Sequence, residues 1–295
     1  MFKSKFKIMK ILLILSIIFI VFKNLRTNHE WYIEETELDK VWSITKGENI
    51  VIAFLDTGMS KELQKQYANR IVLPFNFINN STDVDDVNGH GTSMICAATC
   101  NYRDSGVYGV APESKIMPIV VANDSGRTTG ELLAKGIRYA VNNNAHIINI
   151  SLGSRLEDHK VRDAINYANE MGVIVLASGG DHRENRVLFP AFYNSVIAVQ
   201  AQSKLGVKYK DASWGEEIDI LIPGEFIKTL SIDGETGELE IDYISGSSVA
   251  TAFFSGVVAL KISKEKDYNL NKLINYIKDY EFEETFINLN NFIKQ

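Results

Sequence analysis

Between residues 50 and 199 the chain alternates short apolar runs with longer amphipathic windows, and few folds accept that alternation. The runs are 50–55, 115–121, 145–150, 172–177 and 195–199. None of them alternates polar with apolar residues, as a strand with one wet face would, so each is expected to be covered on both faces. The windows 131–142 and 161–171 have helical spacing; Leu132, Leu133, Ile137, Tyr139 and Ala140 form the inner stripe of the first. The predicted fold class is α/β: three layers, with a mostly parallel central sheet and helices on both faces. In such a sheet the residues to examine lie just past the carboxyl ends of the strands.

The charge is unevenly placed. The 295 residues carry 31 Lys+Arg against 37 Asp+Glu, a net of −6, yet the first 26 hold Lys3, Lys5, Lys7, Lys10, Lys23 and Arg26 and no acid. The remainder, with 25 basic against 37 acidic residues, is at −12 and repels phosphate, which excludes nucleic acid as a partner. The basic start flanks an apolar run at 11–22. Twelve residues, or 15 counted from Ile8, suit a secretory signal and fall short of the roughly 20 that a spanning helix prefers. The residues that follow, Lys23-Asn-Leu-Arg-Thr-Asn28, contain no small-x-small cleavage site, so a cleaved signal and an uncleaved membrane anchor both stay open. Either places the body outside the cytoplasm, because the positive flank stays inside. The expected division is therefore 1–30 as signal or anchor and 31–295 as a single domain, since no linker or repeat interrupts it.

Three segments carry chemistry: Asp56-Thr-Gly58 after the first run, Asn88-Gly-His-Gly-Thr92 before a helical stretch, and Ser245-Gly-Ser-Ser-Val-Ala250. They supply an acid, an imidazole and a hydroxyl. Taken singly each has a plainer reading, since an Asp past a strand often caps a helix and Ser247 or Ser248 would cap the one that follows. Together, in the order Asp, His, Ser, they are the parts of a nucleophilic triad. Residues 249–260 are apolar all round, so Ser248 stands at the N-terminus of a buried helix, whose dipole favours a developing oxyanion. Cys96 and Cys100, four apart in a stretch expected to be helical, are read as two buried thiols.

With Leu38-Asp-Lys-Val-Trp42, Tyr108-Gly-Val-Ala-Pro112, Ile148-Asn-Ile-Ser-Leu-Gly153, Ile222-Pro-Gly224 and Gly246-Ser-Ser-Val-Ala-Thr251 also present in order, the chain resembles the subtilisin-like (subtilase) serine proteases over most of its body. The resemblance implies a serine endopeptidase with Asp56, His90 and Ser248 as catalytic residues. It also implies that Ser151, Leu152 and Gly153 form one edge of the substrate cleft, Gly126 the other, and Ala177, Ser178 and Gly179 the first specificity pocket. The partner is then a peptide or protein substrate, with the membrane added if the N-terminal segment is uncleaved.

Departures from the family bear on the expected activity. The asparagine that normally donates to the oxyanion falls at Gly180 or, with a one-residue shift, at Asp181; neither donates as asparagine does, and Asn185 is a further candidate to fill the gap. If Gly180 is the position, Gly180→Asn is expected to raise turnover. Ser93 and Ala252 replace a His and a Pro common in the family. No cofactor or metal is expected; calcium stays open except at the 101–107 loop, where Arg103 stands where a neutral ligand belongs. Asp83, Asp85 and Asp86 are read as a solvated acidic loop. There is no room for a prodomain between Phe22 and Trp31, and an exported processing protease is the expected role. The alternative is a pseudoprotease that binds peptides in the same cleft.

Overall fold

The computed structural model describes residues 30–102, 106–265, 270–278 and 286–294. In chain order they form α1 (Trp31–Thr36), α2 (Leu38–Val41), β1 (Val51–Asp56), α3 (Lys61–Gln66), β2 (Phe75–Asn76), α4 (His90–Thr99), β3 (Asn101–Tyr102), β4 (Val107–Tyr108), β5 (Lys115–Val120) and α5 (Gly130–Asn142). There follow β6 (Ile147–Ile150), α6 (His159–Glu170), β7 (Ile174–Ser178), β8 (Ile197–Gln202), β9 (Ile220–Pro223), β10 (Ile227–Ile232), β11 (Leu239–Ile244), α7 (Ser247–Lys264), α8 (Leu270–Lys278) and α9 (Leu289–Lys294).

Successive side chains of β1 point to opposite faces, and both faces are dry. Ile52 and Phe54 join the apolar cluster built with Met94 and Ile95 of α4 and Phe253, Phe254 and Val257 of α7. Ala53 and Leu55 join a second cluster with Ile137 of α5 and Ala164 and Ile165 of α6. The same division runs along β6 and β7, with Ile147, Ile174 and Leu176 on the first side and Ile148, Ile150, Val175 and Ala177 on the second. This is the three-layer arrangement expected from the apolar runs.

Seven strands pair in the order β2-β5-β1-β6-β7-β8-β9, every pair parallel. The order turns about β1, which has β5 on one side and β6 on the other. Asp56, the last residue of β1, therefore ends at the point where a crevice opens in such sheets. The helices begin where their caps are: Thr129 Oγ1 accepts from Leu132 N–H at 3.3 Å for α5, and Asp158 Oδ1 from Lys160 N–H at 2.8 Å for α6. Most of α7 is buried on all sides, Ser248, Ser263 and Lys264 excepted.

The structure differs from the sequence reading in several elements and in the state of the two cysteines. Strand β9 and the antiparallel β10–β11 ribbon were not anticipated. Cys96 and Cys100 are joined as a disulfide instead of standing as thiols, with their Cα atoms 4.5 Å apart. The reason is local: α4 ends at Thr99, and Cys100 takes extended dihedrals (φ −66°, ψ 151°), so its side chain leaves the helical path that would have kept the pair apart. The export segment lies outside the described residues except for Glu30, as does Arg103 of the 101–107 loop. Among the described residues no helix is long and apolar enough to cross a membrane.

Candidate active site

Asp56 is carried to the crevice by β1 and is 1% exposed at its side chain, whereas His90, the first residue of α4, is 33% exposed. Asp56 Oδ1 accepts from His90 Nδ1 at 2.7 Å and from Thr57 N–H at 2.8 Å. The two come this close because Gly91 has no side chain: a Cβ there would lie 2.4 Å from Gly58 O and 3.2 Å from Asp56 Cβ. Burial alone would lower the pKa of His90, but the charge and hydrogen bond of Asp56, with Asp86 behind, outweigh it and raise the value above that of a free imidazole.

Asp86 is a residue that the sequence reading misplaced. It is 4% exposed, not solvated. Its Oδ1 accepts from Asn88 N–H (3.1 Å) and Gly89 N–H (2.9 Å), and its Oδ2 from Thr92 N–H (2.8 Å) and Thr92 Oγ1 (2.7 Å). It thereby satisfies the free donors at the start of the helix that begins with His90. Of its two neighbours, Asp85 pairs with Lys61 at the surface, 2.8 Å away. An acid just ahead of a helix start was the available signal.

Ser248 sits in the first turn of α7 and shares a cavity of about 340 Å³ with His90 and Asp181. Its Oγ donates to Ser151 O at 3.0 Å, and no hydrogen bond joins it to His90. Ser151 Oγ returns a bond to Ser248 O at 2.9 Å and accepts from Asn149 Nδ2 at 3.0 Å, while Ser255 Oγ donates to Asn149 Oδ1 at 3.0 Å. Asn149 and Ser255, both buried and absent from the sequence-based candidates, thus tie the end of β6 to the helix that carries Ser248.

Gly126, Leu152 and Gly153 line a neighbouring cleft of about 560 Å³ together with Leu133, Phe189 and Tyr193. Ala177, Ser178 and Gly179 are buried and line neither cavity. Ser178 Oγ lies 2.7 Å from Ser247 Oγ, so this segment braces the start of α7. Gly180 and Asp181 part company: Gly180 has φ 101°, and a Cβ on it would point 2.8 Å from Leu188 Cγ. Asp181 instead lines the Ser248 cavity and accepts from Ser247 N–H. Asn185 is exposed and does not reach the cavity. Ser93 donates to Gly89 O at 3.0 Å within α4, and Ala252 is buried in α7. Among the described residues no three His, Cys, Asp or Glu side chains gather as metal ligands.

An Asp–His pair thus stands at the end of a parallel strand, on a cavity shared with a serine at a helix N-terminus. The family model described as the subtilase family matches residues 47–283. Thermitase of Thermoactinomyces vulgaris is 30% identical over 233 residues, which cover 78% of this chain and 81% of that protein. The major intracellular serine protease of Bacillus subtilis (strain 168) is 32% identical over 77% of this chain and 73% of its own length. The thermostable alkaline protease of Halalkalibacterium halodurans is 33% identical over 77% of this chain but 60% of its own length. In fold, the chain is similar to the crystal structure of a cold adapted subtilisin-like serine proteinase, with a TM-score of 0.73 and 24% identity over 83% of this chain and 87% of that one.

Proposed function

The chain belongs to the subtilase family and is a serine-type endopeptidase, and from that premise we propose that Ser248 is its nucleophile, His90 its general base and acid, and Asp56 the group that orients His90. The observation that carries this reading is the 2.7 Å bond from His90 Nδ1 to Asp56 Oδ1, with His90 and Ser248 on one cavity wall. A hydrogen bond at Nδ1 fixes the tautomer that leaves Nε2 free to accept a proton.

The substrate lies extended along Ser151, Leu152 and Gly153, with Gly126 on the opposite edge. Ser248 Oγ leaves Ser151 O by a rotation about χ1, gives its proton to His90 Nε2 and bonds to the carbonyl carbon. The carbonyl electron pair moves onto oxygen beside the Ser248 N–H, at the positive end of α7. Collapse expels the amine, protonated by His90, and leaves an acyl-enzyme that water then hydrolyses. The raised pKa of His90 sets the acid limb: the base form is lost as pH falls through that value.

We read the enzyme as exported and engaged in processing selected substrates. That reading rests on the acid-free basic start and the apolar run at 11–22, separated from Trp31 by eight residues. The relatives do not decide it, one of them being named an intracellular protease. Labelling with a serine-directed phosphonate tests the chemistry: wild type should be modified and Ser248→Ala should not. Folded wild type that takes up no label would overturn the nucleophile assignment in favour of a cleft that only binds peptides. N-terminal sequencing of protein from fractionated cells tests export, and an intact chain in the cytosol would refute it.

A further inference from the structure

His90 and Asp181 are the two titratable side chains on the wall of the Ser248 cavity; its other residues, including Ser231, Ile232, Ile244 and Ser245 of the ribbon, are uncharged. The Asp181 carboxyl is fixed from one side. Ser247 N–H reaches Oδ1 at 3.0 Å and Oδ2 at 2.9 Å, and Ser247 Oγ donates to Oδ2 at 2.8 Å. Ser247 Oγ is itself held, accepting from Gly180 N–H at 3.2 Å beside Ser178 Oγ. The next amide, Ser248 N–H, has no acceptor among the described residues.

The cavity therefore offers one free backbone donor and, held on the adjacent residue Ser247, a carboxyl on the same wall, and a tetrahedral oxyanion requires a second donor. A carboxylate there would repel the oxyanion; a carboxylic acid would stabilise it. We propose that Asp181 is a catalytic residue whose protonated carboxyl donates from Oδ1 to the oxyanion formed on Ser248, alongside the Ser248 N–H. The assignment rests on the proposed role of Ser248. Asp181 keeps its proton throughout: the Oγ–C bond forms, the carbonyl electron pair moves to oxygen, and the hydroxyl proton passes to His90.

The surroundings agree. Burial favours the neutral acid and raises the Asp181 pKa, against the bonds from Ser247. His182 lowers it and Asp211 raises it, the latter being tied to Arg183. The first turn of α7 carries no acid, His90 heads α4 with Asp56 against it, and Asp86 lies just ahead of that helix. Donation is present below the folded pKa of Asp181 and lost as pH rises through it, while the base form of His90 is lost as pH falls. Wild type then needs both forms at once, so its activity falls on both sides of an optimum.

The test is the pH dependence of kcat and KM for wild type and Asp181→Asn on a fluorogenic peptide, with phosphonate uptake counting competent sites. The carboxamide of that variant keeps an oxygen to accept the bonds from Ser247, while its NH2 group donates at any pH. The variant should lose the alkaline limb and gain about 10²–10³-fold in kcat at pH 8, with KM little changed. A labelled variant with an unaltered profile and no gain in kcat overturns the proposal. Should the variant not fold, wild type alone carries the test: a kcat that climbs to an alkaline plateau overturns it, and a decline with pH supports it. Wild type that takes up no phosphonate would remove Ser248 as nucleophile, and this proposal with it.

Discussion

At Gly180, φ is 101° and the space for a Cβ is filled by Leu188. Gly180→Asn is therefore expected to destabilise the protein by about 1–3 kcal/mol, through strain and overpacking, and to leave turnover no higher. The measurements are Tm, which should fall by about 2–10 °C in a domain of this size, and kcat; a rise in kcat would return the oxyanion position to Gly180. This outcome differs from the sequence expectation for a simple reason. Asp56, His90 and Ser248 were legible because each stands in a short motif whose neighbours fix its place. The loop after β7 has no such anchor, and a one-residue shift between Gly180 and Asp181 cannot be read from a string of letters. It was resolved by which side chain meets Ser247 and which backbone turns toward Leu188.

The start of α4 depends on one side chain, Asp86. Asp86→Ala leaves Gly89 N–H and Thr92 N–H without their acceptor and frees the Thr92 hydroxyl, at the end of the helix that begins with His90. A cost of about 1–3 kcal/mol is expected in denaturant unfolding, with a fall in kcat because the imidazole is no longer held toward Asp56. Unchanged stability and kcat would reduce Asp86 to a surface acid. Its role was hidden because three acids in a polar loop read as solvated, and only burial separates Asp86 from Asp85. The β10–β11 ribbon escaped notice for a different reason. The strands first identified were mainly apolar runs, whereas Ile227-Lys-Thr-Leu-Ser-Ile232 and Leu239-Glu-Ile-Asp-Tyr-Ile244 mix polar with apolar residues and are only partly buried. The parallel strands and the helices α5 and α6 were legible because burial on both faces leaves a period that needs no tertiary knowledge.

On the scale of the whole molecule, the family match begins at residue 47, but the core begins earlier. Tyr32, Ile33, Leu38 and Val41 are buried in the same cluster as α7, and Trp31 Nε1 donates to Glu225 O at 3.0 Å. At about 1.5–3 kcal/mol for each buried apolar side chain, these four contribute roughly 6–12 kcal/mol, comparable to the entire stability of a typical domain. A chain started at Glu30 should therefore fold and hydrolyse peptides, and one started at Gly47 should do neither; circular dichroism and phosphonate uptake distinguish them. An active chain from Gly47 would show that α1 and α2 are dispensable. The helix α7 and the tip of the ribbon beside it differ in tolerance. Almost every residue of α7 is a core residue, so variation behind the serine is variation in the fold itself. The ribbon pairs only with itself, ends in an exposed tip at 234–238, and still contributes Ser231, Ile232 and Ile244 to the wall around Ser248. Ile227, Thr229 and Leu230 root the ribbon in the core, so it is the 234–238 tip that is open ground for a lineage that changes what this enzyme cuts.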